Sequence, residues 1–525
     1  MVSSLLVEAL SSPTDVLVSF YDTYDREAIN EFPKAVARYF SDIFRTEEAL
    51  LEIPPLIPLR SLSSYHDRAL VRFRALVQDT SPSPEMYLSK FRDGRCGGWG
   101  LLDSSQSNGD DTEFDYNDLR DCTVLWAVSV PGETVWYQTV SNGDVIDQSE
   151  LPPDGLLRAH KYPIPKEAHC GVQIKMYGNI GNDVPKTADV LNFVGILNNE
   201  PQVLVAGSDE AMMVPTLHVL FTRDHRLGIP KAPEDLTQQH IGEELLDWIA
   251  DEALGGDRDA AEWVLLACTS RVQSRARSLN PLSLTLAHFP SPMSSPSAVP
   301  TLSRVLSLLL PLQVTLPLSL DLLNSVPFAP ESVNEDLHSG YLQLAHGTTM
   351  LMTEGGIQEG KLVERGVLNV RAIQQVISTQ TLAYKFPFSE FSFPTDISFV
   401  ILAQGTKSAL FQTDFTLPLN PSSTSDLYKP KSNIKLPSVD KLDAFRRLVL
   451  SAKTGNIELT ESISEHIQED FVKQRRADNA ISPEDLKQTI TLARLIGLTK
   501  QEGVVTLEGW EHAKEMNKRR KARFT

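Results

Sequence analysis

The sequence predicts an α+β protein of several domains, with helices at both ends and two strand-containing segments between them. Three observations support this prediction. The chain has 525 residues, which is enough for about three to four domains of ordinary size. Short apolar strands separated by turns occupy residues 60–225, and strands that alternate with helices occupy residues 240–425. We therefore expect a β-domain and an α/β domain in one chain.

The first segment, residues 1–58, is predicted to be an N-terminal helical region. Pro54, Pro55 and Pro58 end it, because proline lacks the backbone N–H that a helix needs. The candidate apolar side is formed by Val18, Phe20, Ile29, Val36, Tyr39, Phe40 and Ile43.

Residues 59–225 are predicted to form a small β-barrel or sandwich. A polar stretch indicates an inserted loop over about 100–121. Pro131 and Gly132 predict a turn between two strands. Trp126 and Trp136 are interpreted as core aromatics rather than as a platform on which bases stack. The candidate strands are 70–79, 124–128, 134–137, 170–177, 191–197 and 217–221.

Residues 240–425 are predicted to form a three-layer α/β domain with a mostly parallel sheet. Residues 305–323 are long and apolar enough to suggest a membrane span. Their two prolines, one glutamine and one aspartate instead favour a helix end followed by a buried strand. The candidate strands are 282–287, 313–317, 349–352 and 399–403, and candidate helices include 302–310 and 369–379.

Residues 436–525 are predicted to form a helical subdomain with a basic tail. Ser482 and Pro483, followed by two acids, are a typical helix start. Three apolar stripes mark the first three helices, and a fourth helix begins near Leu507. The tail is consistent with nucleic-acid contact, with a nuclear import signal or with a solvated helix end. Its basic residues are Lys514, Lys518, Arg519, Arg520, Lys521 and Arg523.

Charge and cysteine content argue against some classes of function. With 49 Lys+Arg and 68 Asp+Glu, the net charge is 49 − 68 = −19. This argues against nucleic acid as the main partner, because duplex binding depends largely on phosphate neutralisation. The four cysteines include no C-x-x-C pair and indicate reduced thiols of the cytosol or nucleus. The first residues carry no positive segment typical of a secretory signal, and we expect no membrane association.

No motif predicts catalysis. The phosphate-loop pattern is absent, as are G-x-S-x-G and H-E-x-x-H. The nearest phosphate-loop candidate is 256–263, with Glu262 in place of the lysine and Trp263 in place of the hydroxyl residue. Asp257 and Asp259 would repel a phosphate about 4 Å away by about 1 kcal/mol in water and about 4 kcal/mol at an effective dielectric near 20. We therefore predict a plain capped helix there, with no cofactor, metal site or catalytic residue.

Six runs of sequence, in order over nearly the whole chain, resemble the family of mini-chromosome maintenance (MCM) complex-binding proteins. They are VRFRALVQD at 71–79, VPGETVW at 130–136, SGYLQL at 339–344, DFV at 470–472, ISPEDL at 481–486 and ARL at 493–495. That family is also similar to the MCM helicase subunits. The resemblance implies an OB-like β-barrel over 59–225, a degenerate AAA+-like domain over 240–425 and a lid-like helical subdomain over 436–525.

The resemblance further implies a degenerate nucleotide site. Gly256 and Glu262 would correspond to the phosphate loop, with glutamate where the helicases have lysine. Thr353 and Glu354 would replace the Asp-Glu pair that holds Mg²⁺ and water. Gln404 would take the place of the polar sensor, and Glu484 that of the C-terminal sensor arginine.

The function implied by the resemblance is that of a non-catalytic nuclear partner of MCM helicase subunits. Such a protein would act in assembly, chaperoning or unloading of these subunits during DNA replication, and in sister-chromatid cohesion. It would touch chromatin indirectly and nucleic acid weakly or not at all. Two alternatives stay open at this point: a nucleotide-binding or weakly ATP-hydrolysing regulator, favoured by Glu354, and a single-stranded nucleic-acid binder that uses the barrel and the basic tail.

Overall fold

A computed structural model provides the structure. It describes residues 4–58, 60, 64–91, 94–101, 115–142, 158–178, 185–203, 211–224, 238–275, 279–292, 298–477 and 482–524. Most of the predicted inserted loop, residues 102–114, lies outside these ranges. Within the described residues, no helix combines the length and the apolar character needed to cross a bilayer.

The chain begins with four helices that pack on a β-barrel. They are α1 (Ser4–Ser11), α2 (Pro13–Thr23), α3 (Phe32–Ile43) and α4 (Glu47–Leu51). Val36 and Phe40 on α3 are buried as predicted, and Phe44 stacks against Phe221 of the barrel with ring centroids 6.3 Å apart. Val18 is 40% exposed, contrary to the prediction, because α2 turns Val16, Leu17 and Tyr21 inward instead.

Six strands form the first sheet, and five of them close into a barrel. The strands are β1 (Leu70–Asp79), β2 (Glu85–Leu88), β3 (Leu119–Ser129), β4 (Gly171–Tyr177), β5 (Val190–Val203) and β6 (Ala211–Asp224). Their order is β1-β5-β6-β4-β3, and β3 pairs again with β1. The β4–β6 pair is parallel, whereas the other barrel pairs are antiparallel. Alternate β1 residues fill the interior as predicted, namely Val71, Phe73, Ala75 and Val77.

One predicted strand of the barrel region is wrong. Residues 135–137 belong to a helix, α5 (Val135–Asn142), and Tyr137 N and Gln138 N donate to the carbonyl of Thr134, which precedes it. Trp136 therefore does not lie in the barrel core; its indole N–H donates to the Leu310 carbonyl at 3.2 Å. Trp126 is buried in a core, as predicted.

The second sheet is entirely parallel, in agreement with the predicted mostly parallel sheet. Its strands are β7 (Leu284–Ala287), β8 (Gln313–Pro317), β11 (Thr348–Thr353), β14 (Ile397–Leu402) and β15 (Phe415–Pro418), in the order β15-β7-β14-β11-β8. The accompanying helices are α6 (Gln238–Ala253), α7 (Arg258–Thr269), α8 (Thr301–Leu309), α9 (Leu320–Ser325) and α10 (Glu364–Thr379). Residues 305–323 thus contain a helix end and a strand, as predicted.

A third sheet, which the sequence analysis missed, lies beside the second. It consists of β9 (Glu331–Val333), β10 (Asp336–His338), β12 (Thr381–Phe386) and β13 (Ser389–Pro394), in the order β10-β9-β12-β13. β9 and β10 have three residues each, and β13 is mostly exposed, so none of these three gives the apolar run by which a buried strand is recognised.

The last helices share a hydrophobic core with α6, α7 and α8. They are α11 (Val439–Thr454), α12 (Glu461–Ala477), α13 (Pro483–Thr499) and α14 (Leu507–Ala522). The predicted stripe of α11 is buried, with Leu442, Phe445, Val449 and Ala452 all less than 10% exposed. This packing makes the C-terminal helices a continuation of the α/β core.

Backbone hydrogen bonds hold the barrel against the parallel-sheet half of the chain. Thr134 N donates to the Pro311 carbonyl at 2.9 Å, and Gln313 N donates to the Gly132 carbonyl at 2.8 Å. Gly132 has φ +71°, and a Cβ there would lie 2.4 Å from the Val314 side chain. Glycine is therefore required at this turn, and the two halves are joined at a fixed point.

Candidate functional site at the carboxyl edge of the parallel sheet

The edge formed by the carboxyl ends of β7 and β14 is the candidate site of the parallel sheet. In open α/β sheets, ligands bind outside the carboxyl ends of the strands, where the strand order reverses. Here the chain runs from β7 to β8 at one side of the sheet and from β14 to β15 at the other. At this edge lie residues 288–292 after β7, 403–408 after β14, and Glu354 directly after β11.

Glu354 is buried and fully engaged in holding a loop. Ser408 Oγ donates to Glu354 Oε1 at 2.5 Å, and Ala409 N donates to Oε2 at 3.0 Å. The residue is 6% exposed. Thr353 precedes it, and the Thr353 carbonyl accepts from Leu318 N at 2.9 Å. A threonine and an engaged glutamate do not provide the free carboxylates that hold Mg²⁺ in nucleotide sites.

Gln404 reaches the connection after β7. Its side-chain amide donates to Ser291 Oγ, and Gly355 lies beside both Gln404 and Pro292. The structure therefore brings together three of the predicted site residues, Thr353, Glu354 and Gln404, at one edge of the sheet.

The connection that a phosphate loop would occupy is 288–300, since such a loop joins a strand to the following helix. It links β7 to α8 and reads HFPSPMSSPSAVP, with four prolines and neither glycine nor lysine. Proline offers no N–H to a phosphate. Thr301, the first residue of α8, accepts the Lys429 N–H through its Oγ1 at 2.7 Å. Glycine, lysine and a free hydroxyl are thus all missing from the positions where a phosphate loop needs them.

Gly256 and Glu262 do not belong to this edge site, and the alignment of 256–263 with a phosphate loop needs correction. Gly256 lies between α6 and α7, ahead of the first strand of the sheet, with φ +86°. Asp257 caps α7 by accepting from Ala260 N at 3.1 Å. The segment is therefore a junction between two helices, in agreement with the predicted plain capped helix. Glu262 Oε1 contacts His512 Nε2 of α14 at 2.5 Å.

Glu484 lies at the opposite edge of the parallel sheet. It lines a cavity with Ser283, which precedes β7, and with Asp414, which precedes β15. Both positions are at the amino ends of parallel strands. Glu484 is therefore separated from Glu354 by the length of the strands and cannot act on the same ligand.

Basic residues of the tail are used within the molecule, which the sequence analysis did not predict. Arg523 forms a two-pronged pair with Asp257 at 2.7 and 2.8 Å and also contacts Asp259 at 3.0 Å. The hydrogen bonds that Arg523 donates to Asp257 raise the pKa of Arg523. Arg519 contacts Asp259 at 3.2 Å and Glu262 at 3.4 Å. The sequence does contain an indication of this pairing. Arg519 and Arg523 are four residues apart, and Asp259 and Glu262 are three apart, so each pair lies on one face of its helix.

A polar network lies in the wall of the barrel, with Tyr177 and His218 buried and Glu200 partly exposed. Tyr177 Oη and His218 Nδ1 are 2.6 Å apart, and His218 Nε2 lies 3.0 Å from Glu200 Oε1. Lys175 Nζ contacts Glu200 and Glu85, each at 2.6 Å. Burial acts to raise the pKa of Glu200, but hydrogen bonds from His218 and Lys175 outweigh it and lower this pKa to about 2. The alternation of apolar and polar residues along the strands did not predict this network.

Comparison with known proteins places the chain in a family. The family model described as mini-chromosome maintenance replisome factor matches residues 40–155 and 147–524. Relatives named mini-chromosome maintenance complex-binding protein include one from Salmo salar, 25% identical over 94% of both chains. One from Arabidopsis thaliana is 25% identical over 93% of this chain and 92% of its own, and one from Homo sapiens is 22% identical over 98% and 97%. The chain belongs to the mini-chromosome maintenance replisome factor family.

Proposed function

We propose that this chain is a nuclear, non-catalytic binding partner of MCM helicase subunits. It acts in assembly, chaperoning or unloading of these subunits during DNA replication and in sister-chromatid cohesion, and it contacts chromatin indirectly. The observation that carries the proposal is the family match along nearly the whole chain, together with the name of its relatives, MCM complex-binding proteins.

The proposed architecture has four parts: helices over 1–58, an OB-like barrel over 59–225, a degenerate AAA+-like domain over 240–425 and a lid-like helical subdomain over 436–525. Five barrel strands with a single parallel pair support an OB-like barrel. The all-parallel sheet, followed by helices that share its core, supports the AAA+-like part. In this proposal, the chain pairs with a helicase subunit because its own surface resembles that of a subunit.

The proposed absence of ATP turnover rests on the carboxyl edge of the sheet. Glu354 has both oxygens engaged by Ser408 and Ala409. The connection 288–300 contains no lysine to meet a phosphate and no glycine to let the backbone approach one. Lys407, exposed on the loop after β14, is the observation that favours nucleotide binding as an alternative. It is not followed by a helix whose N-terminus would add N–H donors.

Direct nucleic-acid binding is proposed to be weak. The net charge is −19, and Arg519 and Arg523 of the basic tail are paired with acids of α7. Lys518 and Lys521 are the exposed cations that the tail offers, and both lie within 4 Å of an acid. Little positive charge is therefore left to neutralise a phosphate backbone.

Capture from nuclear extract on the immobilised full chain, with identification of the retained proteins, tests the proposed function. We expect MCM subunits to be retained at physiological salt. As a matched control, immobilised chain unfolded by heat carries the same charge and should not retain them. Equal recovery on folded and unfolded chain, or no recovery on the folded chain, would contradict the proposal.

A further inference from the structure

Two histidines and an aspartate from separate parts of the fold place their metal-binding atoms together. His160 lies on a single helical turn, 159–161, ahead of β4, whereas Asp336 and His338 lie on β10 of the third sheet. Their donor atoms all lie within 4.8 Å of one another. We propose that these three side chains bind one zinc ion at the joint between the barrel and the third sheet. The sequence gives no sign of this cluster, because His160 and Asp336 are 176 residues apart in the chain.

The geometry of the cluster is close to that of a three-ligand zinc site. His160 Nε2 and Asp336 Oδ2 are 2.7 Å apart, and the rings of His160 and His338 have centroids 4.3 Å apart. Asp336 and His338 are two residues apart on one strand, so their side chains lie on the same face. Donor atoms around tetrahedral zinc are about 3.3 Å apart. Shifts of about 1.5 Å or less in these partly exposed side chains therefore complete the site.

The donor set suits zinc. Two imidazole nitrogens and one carboxylate oxygen form a common protein ligand set for this ion, with water in the fourth position. The position of His160 is fixed by its own backbone, because its carbonyl accepts from Ser339 N at 2.8 Å. A metal ion would therefore join two chain segments that already touch.

Lys161 occupies one oxygen of Asp336, and the other oxygen, Oδ2, is the one that faces the two imidazoles. Lys161 Nζ contacts Asp336 Oδ1 at 2.5 Å, but it also contacts Asp79 Oδ2 at 2.7 Å. Lys161 and Asp79 have side chains only 2% exposed and balance each other. The Oδ2 atom of Asp336 faces His160 instead. The contact from Lys161 holds Asp336 in position, as outer-shell partners do for ligands in metal sites in general.

The test is zinc binding by the full chain after treatment with a chelator. We expect the wild-type chain to retain one zinc ion through gel filtration and to gain thermal stability when zinc is added. His338→Phe keeps a ring against His160 and removes the nitrogens, and His160→Gln removes the other imidazole. Loss of a ligand should weaken zinc binding by at least about tenfold, since loss of an outer-shell partner alone costs this much.

His66→Ala serves as the matched control, because His66 is exposed and lies outside the cluster. It should bind zinc as tightly as the wild type. A wild-type chain that retains no zinc would overturn the proposal and leave the cluster as a hydrogen-bonded ion pair. Unchanged zinc affinity in folded His338→Phe and His160→Gln would also overturn it. Visible absorption of the cobalt-loaded wild-type chain tests the site without a variant. Four-coordinate cobalt absorbs strongly in the visible range and hydrated cobalt does not, so we expect strong absorption; its absence would count against the site.

Discussion

Ser482 begins α13 through a reciprocal pair of hydrogen bonds. Its Oγ accepts from Asp485 N at 3.2 Å, and its own N–H donates to Asp485 Oδ2 at 3.0 Å. Ser482→Ala should lower the free energy of unfolding by about 1 kcal/mol, because an N–H of the first turn loses its partner. Thermal or urea unfolding measures this loss. Thr491→Ala, in the interior of the same helix, is the control and should not destabilise, since alanine is the better helix former. An equal loss in both variants would contradict the capping account.

Glu200 should make the barrel sensitive to acid. Its pKa is about 2 in the folded chain against an ordinary value of 4.5. A depressed carboxyl pKa stabilises the fold above the unfolded value, and this contribution is lost as the pH falls from 4.5 towards 2. Glu200→Gln should therefore be less stable than the wild type at pH 7, and the difference should shrink through that window.

Thermal unfolding of wild type and Glu200→Gln between pH 7 and pH 3 measures this effect. Glu85→Gln is the matched control, because Glu85 contacts the same Lys175 but is half exposed. Exposed ion pairs contribute little, so the control should stay close to the wild type at every pH. A Glu200→Gln difference that is constant with pH would contradict the assignment.

These two residues also mark the limit of what the sequence reveals. Ser482 was predictable because its capping pattern is local, with all partners within four residues. The Glu200 network was not, since Tyr177, Glu200 and His218 lie on three different strands. Their contact depends on strand order, which the alternating pattern does not specify.

At the scale of elements, ion pairs connect the end of α14 to the start of α7. Arg523→Ala would leave the buried carboxylate of Asp257 without its charged partner. We expect a loss of about 2 kcal/mol in the free energy of unfolding, typical of hydrogen bonds to charged groups. Lys518→Ala is the control, because Lys518 has a side chain 80% exposed and lies 3.6 Å from Glu515. It should change stability by less than about 0.5 kcal/mol.

Urea unfolding of the two variants separates these outcomes. Equal stabilities would mean that the Arg523–Asp257 pair contributes nothing and that α14 is held by its apolar side alone. A loss confined to Arg523→Ala would show that the basic tail is a structural part of the fold.

The sequence predicted some strands correctly and missed others. The parallel strands β7, β8, β11 and β14 were found because each is a short apolar run between turns. The strand assigned to 134–137 failed because α5, with eight residues, is too short to show a clear helical period. Its Trp136 contacts Leu310 of the α/β half and not the barrel interior. In the third sheet, β9 and β10 have only three residues each, too few to be told from loops, and β13 is mostly exposed and gives no buried apolar run.

At the scale of the whole molecule, the α+β character and the order of the main elements were predictable, whereas the candidate site was only partly so. Thr353, Glu354 and Gln404 meet at the carboxyl edge because each follows a strand of one parallel sheet. Gly256, Glu262 and Glu484 were assigned to the nucleotide site from short runs of residues alone. The sequence did not show which strand is the first of the parallel sheet, and so it did not show that 256–263 precedes that strand. The segment 288–300 was overlooked because it contains none of the residues by which a phosphate loop is recognised.

Phosphate release by the purified full chain in the presence of Mg²⁺ and ATP tests most directly the claim that this edge is not an ATP site. We predict a rate equal to that of buffer alone, for the wild type and for Glu354→Gln, because Ser408 and Ala409 already engage both carboxylate oxygens of Glu354. ATP turnover by the wild type that is lost in Glu354→Gln would contradict this account and would favour a regulator that hydrolyses ATP.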